Sequence, residues 1–278
     1  MKLGVSTLGC PTWTLDQIAS RLPAYGYAGV ELRGLGPELD VTLAPAFGSE
    51  WAASQSRRML EDAGLVVCGL DSSCALAAPE GAARRSTLDE GRRMIDLAAL
   101  LGAPSVRVFG GALPDGEARS AGVARAAYAL LILADHAERQ KADVSVVLET
   151  HDAFSTGAQV AEVLRQSEHP RAGALWDLYH PFRQGEKPTE TFAAIGAYVR
   201  MTHVKDSRPG GTYCPLGEGD VPVPAMLALL HQGGYRGWLS LEWEKRWIPA
   251  LADPEIVFPQ YAARLNEYLA ELGKNGHP

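Results

Sequence analysis

Eight short apolar runs alternate with amphipathic segments along the whole chain, and that rhythm restricts the possible folds more than any other feature. The runs are Leu3 to Ser6, Gly29 to Leu32, Leu65 to Leu70, Ser105 to Phe109, Val144 to Glu149, Ala172 to Asp177, Tyr198 to His203 and Gly237 to Glu242. Between them lie segments of about ten to twenty residues, such as Ala83 to Leu101 and Ala118 to Gln140, with apolar residues three and four apart. Strict alternation predicts a parallel sheet with right-handed crossovers. Thr14 with Gln17 and Thr87 with Glu90 have the capping-box spacing and predict helix starts, while Gly26, Gly64 and Gly102 follow helical runs as C-cap residues.

A length of 278 residues suits one α/β domain spanning 1–278, a single (β/α)₈ barrel, which typically needs about 250. No linker or low-complexity tract divides the chain. An open doubly wound sheet is the alternative, but no G-x-G-x-x-G opens a helix after any strand. The longest irregular stretches, Gly34 to Gly48 and Asp206 to Val223, follow strands, where barrel enzymes carry their variable loops.

Composition excludes several partner classes. A net charge of -7 argues against nucleic acid or an anionic membrane surface as the main partner, since both reward a basic face. No apolar stretch approaches the ~20 residues of a membrane span. Cys10, Cys68, Cys74 and Cys214 form no CxxC pair, and Met1-Lys-Leu-Gly-Val enters a strand directly, so a cytoplasmic protein with reduced thiols is expected. Aromatic residues near Trp243, Trp247 and Phe258 read either as a partner surface, compatible with a homo-oligomer, or as packing of a C-terminal helix.

The last four runs end in Glu149, Asp177, His203 and Glu242. A carboxylate left unpaired at the end of a buried strand carries a large desolvation penalty, which a shared cation would remove. Alternate strand residues share a face, so Glu149 lies above Val147, Asp177 above Leu175, His203 above Met201 and Glu242 above Ser240. If the barrel closes, these faces point inward at the C-terminal rim and converge. Three carboxylates and one imidazole form a hard, oxygen-rich site suited to one divalent ion, Mn²⁺ first, with Mg²⁺, Co²⁺ and Zn²⁺ as alternatives. Three negative charges against two positive leave such a site able to spare one carboxylate as a base.

His151, His180, Lys205 and Arg208 share the rim and are candidates to hold hydroxyl, carboxylate or phosphate groups of a small polyhydroxy substrate. Glu31 and Arg33, at the second strand's end, read equally well as a rim salt bridge and are set aside. Trp13 reads as packing or as a pocket wall. His136, His169, His231 and His277 fall in helical, turn or tail contexts and read as structural or solvated.

At these residues the chain resembles the xylose isomerase-like TIM-barrel superfamily, which includes sugar-phosphate isomerases and epimerases, ketose 3-epimerases, inosose dehydratases and endonuclease-four type repair enzymes. The motifs are Leu148-Glu-Thr-His151, Trp176-Asp-Leu-Tyr-His180, His203-Val-Lys-Asp206, Pro215-Leu-Gly-Glu-Gly219 and Leu241-Glu-Trp-Glu244, with Gly-Val-Glu-Leu32 in the first half. The resemblance implies that Glu149, Asp177, His203 and Glu242 bind one cation, that His151 and His180 contact substrate, and that Glu149 and Glu242 also move the proton. The cation would chelate a carbonyl oxygen and the adjacent hydroxyl, and the two glutamates would approach opposite faces of an enediolate. Epimerisation, aldose–ketose isomerisation and β-elimination of water all pass through that intermediate, so a lyase acting on a keto-inositol or keto-sugar is the alternative to an isomerase. A non-catalytic sugar-binding protein is a third reading.

Two departures narrow this list. The trinuclear site of the repair enzymes needs histidines from early strands and from the loop after the seventh, yet none precedes His136 and none lies between Asp206 and Asp220. Ketose 3-epimerases carry an Arg six residues beyond the metal His, whereas here position 209 is Pro and Arg208 stands one place earlier. The sugar-chain contact therefore differs.

Overall fold

A computed structural model describes residues 1–140 and 142–275; His277 lies outside the described residues. Eight parallel strands close into a barrel: β1 (Lys2–Ser6), β2 (Gly29–Leu32), β3 (Val66–Ala75), β4 (Ser105–Phe109), β5 (Ser145–Glu149), β6 (Ala172–Asp177), β7 (Val199–Val204) and β10 (Trp238–Leu241). Each pairs with the next in sequence, and β10 closes onto β1 with Leu3 opposite Leu239. The remaining pair, β8 (Asp206–Ser207) with β9 (Tyr213–Cys214), is a small antiparallel hairpin above the β7 end.

Two apolar layers hold this arrangement. Leu148, Trp176 and Leu241 face outward and are buried under the helices, in the continuous core that also includes Leu130, Leu164 and Leu227. Inside the barrel, Cys68, Val147, Leu175, Met201 and Trp238 form a separate plug. Gly29 makes room for it, because a Cβ there would stand 2.7 Å from the Trp238 ring and 2.9 Å from Cys68. The inward parity read from the sequence is thus the observed one, with a filled floor beneath the four strand-end residues.

The helices are α1 (Leu15–Ala24), α2 (Glu50–Asp62), α3 (Ala82–Leu101), α4 (Arg119–Arg139), α5 (Gly157–Ser167), α6 (His180–Arg183), α7 (Pro188–Ile195), α8 (Val223–Gln232) and α9 (Pro254–Asn275), and α1 starts with the expected capping box of Thr14 and Gln17. Gly102 ends α3 (Ala82–Leu101) in the left-handed conformation, at φ 71°. The second expected start is corrected: α3 begins at Ala82, and Thr87 lies inside it. Glu90 is not a cap partner because its carboxylate accepts the backbone N–H of Ser73, and the Thr87 carbonyl accepts the Cys74 thiol. Both contacts tie α3 to the end of β3.

That strand is also longer than the sequence suggests, running on through Ala75 rather than stopping at Leu70. The extension is held by Ser72, whose hydroxyl donates to the Arg107 carbonyl (2.6 Å) and whose carbonyl accepts from Arg107 Nη1 (3.0 Å). The final helix, α9 (Pro254–Asn275), settles the aromatic question for two of three residues. Phe258 and Trp243 are buried, Trp13 packs edge-on against Phe258, and Trp247 is half exposed at the barrel mouth. Tyr261 buttresses the hairpin, accepting from Asp206 N and donating to the Cys214 carbonyl, both at 2.9 Å.

Candidate metal centre and barrel mouth

Glu149 ends β5, Asp177 ends β6, His203 stands one residue from the end of β7 and Glu242 follows β10. Asp177 and His203 are register partners on neighbouring strands. All four are buried, and one ligand atom from each lies within 4.8 Å of the others. His203 Nδ1 is the focus, at 3.0 Å from Glu149 Oε1, 3.4 Å from Glu242 Oε2 and 3.9 Å from Asp177 Oδ2.

Local structure aims each group. Asp177 Oδ1 accepts the backbone N–H of Tyr179 (2.7 Å) and of His180 (3.3 Å), at the entrance to the short helix α6 (His180–Arg183). Its other oxygen, Oδ2, is buried, points into the cluster and faces the Lys205 ammonium at 2.9 Å. Thr150 pins the strand end by accepting Asp177 N at 3.0 Å. On its far side, His203 Nε2 lies 3.1 Å from Glu31 Oε1, and Ser240 donates to the other Glu31 oxygen. A histidine held in this way from behind is oriented with Nδ1 toward the cluster.

The electrostatics fit a cation. Burial opposes the charge on Glu149, yet Arg107 and His203 outweigh it and hold the carboxyl down at about 2. Glu242 is likewise kept well below the carboxylate range against burial, by His203 and Lys205. Burial disfavours an imidazolium at His203, but Glu242, Glu31 and Glu149 raise it well above its ordinary value. Positive charge on the imidazole is thus favoured beside Glu149 and Glu242, where a divalent ion would be, and the donor set of three carboxylate oxygens and one imidazole nitrogen suits such an ion. The clearest sign of fit is that one ligand atom from each of the four buried side chains lies within 4.8 Å of the others.

The other predicted residues fall in different places. Lys205 is buried, with Nζ at 2.9 Å from Asp177 Oδ2, 3.1 Å from Glu244 Oε1 and against Glu242, and these carboxylates raise its pKa despite burial. Its charge is therefore taken up by the ligand carboxylates. His151 and His180 pack edge to face with ring centroids 4.5 Å apart, and His180 Nε2 is buried without a partner, 3.8 Å from Asp177 Oδ2. Arg208 is not brought into the cluster: it is half exposed and pairs with Glu218 at 2.6 Å.

Sequence reasoning missed much of the charge around this centre. Arg107, in the middle of β4, reaches Asp71 (3.4 Å) and Glu149 (3.3 Å) and stacks on Phe109. Asp71, on the extended part of β3, has neither oxygen hydrogen-bonded, and burial and Glu31 push it up to about 8 against the opposition of Arg107. Glu244 receives both Lys205 and the Tyr213 hydroxyl, the latter at 2.8 Å. A charged residue at inward parity within an apolar run was the available signal for Arg107. For Asp71 there was none once the strand was ended at Leu70.

The motif after β7 proves to be architectural. Asp206 accepts backbone N–H groups from Ser207, Gly217 and Gly219 at 2.8, 2.8 and 3.0 Å. A Cβ on Gly219 would lie 2.1 Å from Asp206 Oδ1, so the Pro-Leu-Gly-Glu-Gly segment needs its last glycine to wrap that carboxylate. Above the cluster opens a cavity of about 300 Å³, lined by Arg33, Arg107, Phe109, His151, Glu242 and Trp247 among others.

A barrel with ligand-type residues at the ends of its last four strands defines the class, and the sequence match agrees with it. The chain belongs to the xylose isomerase-like TIM barrel family, whose model matches residues 19–268. Among solved structures it is similar to L-ribulose 3-epimerase, with a TM-score of 0.82 and 17% identity over 99% of this chain and 96% of that one. It is similar to the probable 3-DHS dehydratase AsbF involved in petrobactin synthesis from Bacillus anthracis, with a TM-score of 0.78 and 17% identity over 96% and 99% of the two chains. A D-psicose 3-epimerase determined in the presence of D-fructose matches with a TM-score of 0.78 and 15% identity over 98% and 100%. No curated protein sequence matches the chain. At these identities the structural neighbours share the fold.

Proposed function

We propose that this chain, acting as one barrel domain over 1–278, is a divalent-metal-dependent isomerase or epimerase of a small sugar or related polyhydroxy carbonyl compound. The observation that carries the reading is the convergence of Glu149, Asp177, His203 and Glu242 from four strands on one buried point beside a small cavity. These four would hold the ion, Mn²⁺ by preference among hard cations. When bound, the ion supplies Lewis-acid stabilisation of negative charge developing on a substrate oxygen.

The chain's own residues do the rest. Glu149 and Glu242 come from strands on different sides of the His203 strand and so face a bound molecule from two directions. One takes the proton from the carbon next to the carbonyl and the other returns it, and the face or carbon of return sets the product. Positioned bases of this kind contribute typically 10² to 10⁴ in rate. Lys205 pairs with Asp177 and Glu242 and holds both carboxylates in place. Phe109 and Trp247 narrow the mouth and limit water.

A lyase reading is favoured by one feature. Burial opposes a charged His151, but its contact with Asp152 at 2.8 Å and the nearby Glu149 raise its pKa, and it lines the cavity. A protonated imidazole there would be placed to protonate a leaving hydroxyl, which dehydration needs and epimerisation does not. The 3-DHS dehydratase among the structural neighbours fits this alternative. Four free, buried cysteines support a reducing, cytoplasmic setting, and no described helix is long and apolar enough to cross a membrane.

The test is solvent exchange. Metal-loaded protein incubated with ketoses, keto-inositols and keto acids in deuterated water should introduce label at the carbon beside the carbonyl, and loss of eighteen mass units would mark the lyase. Glu149→Gln should lower turnover by about 10² to 10⁴, with metal content measured in parallel. Full metal occupancy with no label across the panel would sink the proposal.

A further inference from the structure

Three Lys or Arg side chains are buried among the described residues, and all three belong to the barrel mouth. Two have their charge matched. Arg107 faces Asp71 and Glu149, and Lys205 faces Asp177, Glu242 and Glu244. Arg33 does not. It follows β2, is only 6% exposed, and forms no ion pair with any described carboxylate. Its backbone N–H is fixed by Thr7 Oγ1 at 2.9 Å, and Nη2 donates to Ser73 Oγ at 3.1 Å. Nη1 is buried with no partner, and the side chain lines the cavity that Glu242 also lines.

A buried guanidinium with no carboxylate in contact is costly to maintain. Burial and the like charge of Arg107 lower its pKa against the more distant carboxylates of Asp71, Glu90 and Glu242, but only to about 10, so the cation persists at neutral pH. We propose that Arg33 is the receptor for a carboxylate on the substrate, which makes the compound handled here a polyhydroxy keto acid rather than a neutral ketose. The inference rests on the reading that this mouth binds a polyhydroxy carbonyl compound, and it names the class. Only one charge is left unmatched, which suits a monoanion better than a phosphate dianion. The planar fork of Arg matches a carboxylate in two parallel hydrogen bonds. A cavity of about 300 Å³ places Arg33 and the ligand Glu242 within reach of one sugar-sized molecule.

The experiment is calorimetric binding to Mn²⁺-loaded and metal-free protein. The probes are D-fructose, its monophosphates at either end, and D-fructuronate and 2-keto-D-gluconate, which carry a carboxylate at opposite ends of the same skeleton. One of the acids is expected to bind at least about tenfold more tightly than fructose and more tightly than either phosphate, as a charged hydrogen-bonded pair implies. Arg33→Met should bring that ratio to near one, and should unfold at the same or a higher temperature because an unmatched charge has gone. Equal or undetectable binding of all probes, a preference for a phosphate, or a lower unfolding temperature for Arg33→Met would each overturn the assignment. Metal content in the same samples keeps the two readings apart: protein that takes up no divalent ion defeats the metal site, whereas the acid preference is read with or without the ion.

Discussion

Strands β5, β6, β7 and β10 present Glu149, Asp177, His203 and Glu242 with their ligand atoms turned toward one another. Strands β2, β3 and β4 present Glu31, Asp71 and Arg107: Glu31 and Arg107 reach the cluster from behind, and Asp71 faces Arg107. Glu31 holds the far nitrogen of His203, and Arg107 neutralises Glu149. One half of the barrel supplies the groups that would touch an ion, and the other supplies the charges that hold Glu149 and His203 from behind. The contrast teaches that an anionic centre here depends on residues that never enter it. It can be broken by removing a supporting residue and finding no effect.

Arg107→Met gives the largest expected effect on stability. The substitution preserves the stem packed on Phe109 but removes the charge beside Glu149 and Asp71. Breaking a buried pair costs roughly 3–5 kcal/mol because the partner charge is left uncompensated. The low end is expected, since Asp71, pushed up to about 8, is mostly protonated at neutral pH and leaves little uncompensated charge behind. Denaturant unfolding of metal-free protein should show a loss near 3 kcal/mol, and saturating Mn²⁺ should recover part of it by replacing the charge that Glu149 has lost. A loss under about 1 kcal/mol, typical of surface pairs, would show that the first half does not act as the neutralising half.

Glu31→Gln comes next. The amide keeps the shape and the contact to Ser240 but removes the charge behind His203 Nε2. Changes of this kind in the groups that orient a ligand cost about 10- to 100-fold in metal affinity. Competition against a chromogenic chelator measures this directly. An unchanged affinity would mean that His203 is held by its strand alone and that the division between the two halves is weaker than drawn.

Legibility in the sequence followed the same division. The ligand-type residues stood out because each closes an apolar run, where a charge is hard to explain by packing. The eight-strand rhythm was equally plain, since strand and helix differ in period. Glu31 was visible at a strand end, but nothing local distinguishes a rim salt bridge from a contact to a residue on β7, because that contact exists only once the barrel closes. Asp71 and Arg107 were hidden for a related reason. They lie within or beyond runs that read as ordinary strands, and the bond between Ser72 and Arg107 that extends β3 is a cross-strand event. Arg208 shows the reverse case: its position after β7 suggested the pocket, and the loop wrapped around Asp206 turns it toward Glu218 instead.

The smallest effect separates rim charge from interior charge within the first half itself. Asp40, in the loop after β2, accepts Thr42 N at 3.0 Å and pairs with Arg93 at 2.9 Å, where the Arg is half exposed. Burial alone would raise its carboxyl, but Thr42 and Arg93 hold it below the ordinary value. A carboxyl depressed in the folded state contributes stability that is fully present above the unfolded pKa, about 3.9, and is lost as pH falls through the folded value. Asparagine keeps the capping contact and removes only the charge. Solvent screening of the exposed partner limits the pair to under about 1 kcal/mol. The stability gap between the native protein and Asp40→Asn should therefore be constant from neutral pH down to the approach to 4 and close below it. A gap that widens toward low pH would have the wrong sign for this pair, and one as large as that of Arg107→Met would erase the distinction between charges that shape a loop and charges that sustain the centre.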